Sequence, residues 1–140
     1  MKRMVSVMAL VAVLAGTGGA ALAADTVERT FTAPVDRVWA TTVSVLKVMG
    51  WDIDKEDRTI GALVTESRRL EGEDYGVYAK GIRHRLRLMI KAVDNARTLV
   101  SVQREVFKRE RILFVDKDEP IMATDQNVEK ALLDSIGRAL

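Results

Sequence analysis

The chain has 140 residues, of which 48 % are hydrophobic, 5 % aromatic and 30 % charged, with one histidine, no cysteine and a formal net charge of +2. Without cysteine there are no disulfides and no thiolate metal site, and a lone histidine leaves only carboxylates as further ligands for zinc. The +2 resides in Lys2 and Arg3, because residues 24–140 carry 20 basic and 20 acidic side chains, so the overall balance gives no reason to expect a nucleic-acid partner.

The N-terminus has the parts of a secretory signal. Lys2 and Arg3 form a basic start, Met4 to Ala15 is apolar apart from Ser6, and Gly16-Thr17-Gly18-Gly19 breaks the run. Ala21-Leu22-Ala23 then supplies the small-x-small pattern of a cleavage site, so cleavage is expected after Ala23, with a periplasmic or secreted location. The competing reading is a retained anchor, since Met4 to Ala24 is just long enough to span a bilayer. No cysteine follows the apolar run, so no lipid attachment is expected there. The 117 residues after Ala23 suit one domain able to bury its own core.

Val27 to Ala33 alternates as a short strand, with Val27, Arg29 and Phe31 on one face. Pro34 suits the first turn of a helix, and Val35, Val38, Trp39, Thr42, Val43, Leu46 and Met49 give that helix one apolar stripe. Gly50 is placed for a left-handed C-terminal cap. Trp51 to Asp54 resumes as a strand, Asp57 to Gly61 turns, and Ala62 to Arg69 returns. Glu71 to Gly81 has three glycines and no period, so it reads as a loop. Ile82 to Val93 is the clearest strand: Ile82, His84, Leu86, Leu88 and Ile90 face one way, and Arg83, Arg85, Arg87, Met89 and Lys91 the other. Asp94 to Arg97 turns, and Thr98 to Val106 pairs back, with Val100, Val102 and Val106 on one face. Arg104 interrupts that face, which predicts a bulge or the edge of the core. Between 107 and 123 the pattern is least regular. Ile112 to Val115 is apolar, and Asp116 to Pro120 reads as a polar loop. Thr124 can cap a final helix whose stripe is Val128, Ala131, Leu132, Ser135, Ile136 and Ala139. The order β-α-β-β-β-β-α predicts an α+β domain: an antiparallel sheet of about five strands with two helices on one face.

The strip from Phe31 to Thr65 resembles the start of small bacterial envelope domains of BamC-like, helix-grip type. Phe31-Thr32-Ala33-Pro34, Val38-Trp39, Gly50-Trp51 with Ile53, Asp57-Arg58 and Gly61 carry the resemblance. It also looks like families of small periplasmic lipoproteins that end in a C-terminal helix. The resemblance implies a periplasmic, non-catalytic domain that supports envelope assembly or a protein complex. This chain departs from the pattern in lacking the lipidated cysteine, which leaves a free periplasmic protein or one held at the membrane by a partner.

The candidate sites are few. His84 lies among apolar residues with no visible nucleophile or orienting partner, so a half-buried or strand-end histidine is expected rather than an acid–base catalyst. Asp116 to Pro120 lacks the glycine and the distant glutamate of a calcium loop. A carboxylate pair for glycoside hydrolysis stays open, because its separation is not readable from sequence. Residues 68–111 hold 12 basic and 6 acidic side chains, between flanks that are each −3. That basic middle either pairs internally or presents a face to an anionic partner, such as an acidic protein or lipid headgroups. Arg83, Arg85 and Arg87 form one row, able to grip anions or simply to solvate the open sheet face. Arg104 and Arg109 can pair across strands with Glu105 and Glu110. Tyr75 and Tyr78 lie between glycines on the loop, where they either contact a partner or cover one end of the core. No phosphate loop, nucleophile elbow or dinucleotide fingerprint occurs. The expectation is therefore a non-enzymatic envelope domain without cofactor or metal, whose partner surface is Tyr75, Tyr78, Arg83, Arg85 and Arg87. A periplasmic protein that binds a small apolar ligand or lipid is the alternative. Peripheral membrane association is compatible with either reading, and nucleic acid with neither.

Overall fold

The computed structural model describes residues 26–70, 81–123 and 125–140. In chain order the elements are β1 (Thr26–Phe31), α1 (Val35–Val48), β2 (Ile53–Asp57), β3 (Ala62–Thr65), β4 (Arg68–Arg69), β5 (Ile82–Asp94), β6 (Arg97–Ile112), β7 (Val115–Ile121) and α2 (Asn127–Ala139). The proposed leader, both tyrosines and Thr124 lie outside the described residues. No described helix is long and apolar enough to cross a membrane.

One antiparallel sheet runs β1-β6-β5-β3-β2, with β4 added on β5 and β7 on β6. Its inner face is the one that the alternation of β5 specifies. Leu88 stands opposite Val102, Ile90 opposite Val100, and Val27 opposite Val102 from the other side. Both helices lie on this face. Trp51, Leu46, Leu63, Leu86, Leu132, Leu133 and Ile136 are each no more than 1 % exposed and fill the space between helices and sheet. The α1 stripe buries Val38, Trp39, Thr42, Val45 and Leu46, and Val35, Val43 and Met49 pack at its margin. Gly50 has φ +85°, the left-handed conformation expected after the helix. Gly61, at φ +70°, has no room for a side chain: a Cβ there would lie 2.2 Å from the Ile90 carbonyl oxygen.

The α+β class and the two helices agree with the sequence pattern, but several details differ. The second strand starts at Ile53, not Trp51, and its register against β3 shifts between Ile53 and Lys55. The return strand does not run unbroken to Arg69. It stops at Thr65, whose hydroxyl accepts from the Leu86 N–H, and Arg83 holds the Ser67 carbonyl before β4 resumes. No bulge occurs at Arg104. The β5–β6 register passes straight through Leu86 and Arg104 and shifts only between Ala92 and Asp94. Arg104 keeps the inward face because α2 supplies a buried carboxylate for it. Asp116 to Pro120 is not a loop but most of β7, since its charged side chains stand opposite residues of the other sign: Asp118 faces Arg109, and Lys117 faces Glu110. The exposed edge accommodates Pro120, which has no N–H to donate to a further strand. The last helix starts at Asn127, with the Asp125 carboxylate accepting from the Asn127 N–H. Its buried face is Glu129, Leu132, Leu133 and Ile136, and the expected Ala131 and Ala139 are exposed.

Candidate functional site

Strand alternation places Arg83, Arg85 and Arg87 together on the sheet face away from the helices. Arg83 donates to the Ser67 hydroxyl and carbonyl, each at 2.8 Å. Arg85 meets Glu105 at 2.7 Å, and Arg87 donates to the other oxygen of the same carboxylate. Burial pushes the Glu105 carboxyl up, but the hydrogen bonds from Arg85 and Arg87 outweigh it and hold the group below the usual carboxylate range. Phe107 lies beside this row, 3 % exposed, with the guanidinium groups of Arg85 and Arg109 at 4.8 and 5.5 Å from its ring centre. Arg109 in turn grips Asp118 through two hydrogen bonds of 2.9 and 3.3 Å. The basic middle is thus extensively paired, partly within itself and partly with the acidic C-terminal third. The partners differ from the expected ones: Arg109 takes Asp118 rather than Glu110, and Arg104 takes Glu129 rather than Glu105. Of the five proposed contact residues, the structure brings the three arginines together, and the tyrosines lie outside the described residues.

Beyond Lys108, β6 has no further partner on β5, and β6 and β7 continue as a hairpin. Its turn is built from Leu113 and Phe114, at φ 50° and 69°. Left-handed backbone costs about 1–2 kcal/mol for a residue with a Cβ, and glycine or asparagine is the usual occupant. Here the strained positions carry two large apolar side chains, 87 % and 90 % exposed, followed by Val115 at 66 %. The run Ile112 to Val115 was visible in the sequence, but its placement at a hairpin tip was not, because the turn lacks the residues that mark turns.

A second cluster closes one end of the sheet. His84 is 4 % exposed rather than half-buried. Its ring packs tilted against Trp51 at 4.8 Å, and the Arg68 guanidinium stacks 3.6 Å from the Trp51 ring centre. Arg68 Nε donates to His84 Nε2 at 3.3 Å, and Arg104 Nη1 stands 3.5 Å from Nδ1. Burial, then the charges of Arg68 and Arg104, lower the histidine pKa to about 4, so the ring is neutral at pH 7. Arg104 reaches Glu129 at 3.1 Å, and the carboxylate is 1 % exposed. Burial pushes the Glu129 pKa up despite that arginine. The Trp51 indole N–H is buried without a hydrogen-bond partner. Sequence reading missed this cluster because its members come from five separate segments. The one available signal was an arginine on an apolar strand face and a glutamate on an apolar helix face. Among the described residues, no three His, Cys, Asp or Glu side chains gather as a metal site.

No family model matches this chain, and no curated protein does. Among solved structures it is similar to the crystal structure of the di-domain ARO/CYC StfQ from the steffimycin biosynthetic pathway, at 9 % identity and a TM-score of 0.37. The match covers 81 % of this chain and 42 % of that one, so the chain spans less than half of that protein's length. A likeness of this size carries neither activity nor substrate across.

Proposed function

We propose that this chain is an exported, non-enzymatic domain of the cell envelope that acts by docking to other proteins, with the β6–β7 hairpin as its docking element. One observation carries the reading: Leu113 and Phe114 occupy strained backbone and point large apolar side chains into solvent. Folding alone gives no reason to keep two such residues there, since asparagine and glycine would relieve the strain and remove the exposed apolar surface. Apolar side chains isolated on a projecting tip suit a partner's cleft. The row of Arg83, Arg85 and Arg87 around Glu105 and Phe107 adds a polar surface at the root of the same hairpin. The signal-like N-terminus and the resemblance of residues 31–65 to envelope domains support the location.

The hairpin shaft weighs against a membrane as the primary target. Lys108 pairs with Glu110, and Arg109 with Asp118, so the shaft offers little net attraction to anionic headgroups. An internal apolar ligand is disfavoured because the cavity of about 500 Å³ between β4, β5 and α2 is lined by Arg68, Arg69 and His84 beside Leu70 and Val128, a largely polar wall. Immobilised wild-type protein is expected to retain a defined protein from envelope extracts that Phe114→Asp fails to retain. Equal recovery by both would remove the hairpin from the reading.

A further inference from the structure

A cleft of about 420 Å³ opens where the arginine row meets the end of β7. That volume falls within the ~300–1,000 Å³ of small-molecule sites. Arg85 and Arg87 line the cleft, and one carboxylate fixes both: Glu105 accepts the Nε–H of each, one on either oxygen. A guanidinium carries further N–H donors in the same planar fork. Among the described residues, the terminal Nη groups of Arg85 and Arg87 make no hydrogen bond. Two arginines on one glutamate also leave a positive charge unmatched, since Asp118 in the same cleft is held by Arg109. Arg104, whose partner is Glu129, adds no free charge. From the other side of β6 comes an apolar wall of Pro120, Ile121 and Ala123. The cleft thus sets spare, directed donors opposite an uncharged surface.

From this arrangement we infer that the cleft binds a carboxylate carried on a small apolar body, with the carboxylate on the Nη groups of Arg85 and Arg87 and the body against Pro120, Ile121 and Ala123. A guanidinium fork matches a carboxylate through two parallel hydrogen bonds. Glu105 already holds both arginines in place, so a ligand loses little affinity in ordering them. The single unmatched positive charge suits a monoanion, because Glu105 and Asp118 in the cleft wall repel any second negative charge. A free organic acid and the C-terminal residue of a protein both offer this chemistry. The site lies apart from Leu113 and Phe114, so it does not depend on docking through the hairpin tip.

Titration of the isotope-labelled full chain with sodium benzoate at low salt, followed by NMR, tests this. Benzoate is expected to shift the Nε–H signals of Arg85 and Arg87 saturably, with a dissociation constant in the millimolar range suited to so small a ligand. Benzamide, which has the same body without the charge, should leave them in place. Arg87→Gln is expected to weaken benzoate binding about tenfold or more, with an unchanged melting temperature because that side chain is half exposed. Arg58→Gln, which removes the same charge from a distant exposed pair, should bind benzoate as wild type does. N-Acetylphenylalanine distinguishes the sources. Binding about tenfold tighter than benzoate supports the site as a receptor for a protein C-terminus, and equal binding supports it as a receptor for a free acid. Phe114→Asp should bind both probes as wild type does, which keeps this site separate from the hairpin reading. The inference is overturned by the absence of a saturable shift, by equal shifts with benzamide, by equal weakening in Arg87→Gln and Arg58→Gln, or by inorganic phosphate binding more tightly than benzoate.

Discussion

His84 makes the stability of this domain sensitive to mild acid. The neutral ring is enclosed by Trp51, Arg68 and Arg104, with Glu129 on the far side of Arg104. Its folded pKa is lowered from 6.5 to about 4. Between these values the unfolded chain binds a proton that the folded chain refuses, so stability falls as pH drops below about 6.5 and levels off below about 4. The shift corresponds to a loss of about 2 kcal/mol at pH 5 and about 3 kcal/mol at pH 4, relative to pH 7.5. Glu129 opposes this. Its raised pKa means that protonation on acidification favours the folded state and offsets part of the loss. Over the interval from pH 7.5 to 5, the difference between wild type and His84→Gln isolates the histidine, because Glu129 contributes to both. Urea unfolding of wild type and His84→Gln at half-unit steps provides the assay. Wild type should lose about 2 kcal/mol more than the variant over that interval. Parallel curves for the two proteins would refute the assignment of the pH dependence to His84.

Removal of one member of the buried Arg104–Glu129 pair is expected to cost about 3–5 kcal/mol, while Arg104→Met/Glu129→Leu together should recover most of the loss in chemical denaturation. Trp39→Ala and Trp51→Ala should each cost about 3–5 kcal/mol, since both rings are buried; unchanged melting of either variant would contradict that burial. Gly61→Ala should destabilise by about 2–3 kcal/mol, because it combines positive φ with a clash against the Ile90 carbonyl, and calorimetry would show it. If the leader is processed as proposed, N-terminal sequencing of the chain recovered from the periplasm or medium should begin at Ala24.

The parts of the fold that were legible before the structure are those where one local rule decides. Five inward residues in strict alternation defined β5, and Pro34, the stripe from Val35 to Met49 and Gly50 bounded α1. Where two rules conflicted, the sequence misled. Arg104 broke an apolar alternation, and nothing near it in the chain indicated that Glu129, on a helix 25 residues later, would neutralise it. The acidic composition of Asp116 to Pro120 suggested a loop, because strand propensity is low there. Cross-strand partners on β6 overrode that propensity. The hairpin was hidden for the opposite reason. Its turn uses Leu113 and Phe114, and local backbone preference gives no warning of a turn at such residues. That contradiction between local preference and observed conformation is what the proposed docking role of the tip rests on. The arginine row was correctly placed on the open face. Arg85 and Arg87 share the one carboxylate of Glu105 and Arg83 is held by Ser67, so the row is fixed by partners within the sheet while keeping a net positive charge.

The most direct test of that docking role is site-specific photo-crosslinking in intact producing cells. A photoreactive residue at position 114 is compared with one at position 60, where Ile60 is also exposed but lies on a different hairpin. A discrete protein adduct is expected at 114 and not at 60, whether the captured protein is a second copy or another chain. No adduct at 114, or the same adducts at both positions, would contradict the claim that the hairpin tip is the docking element.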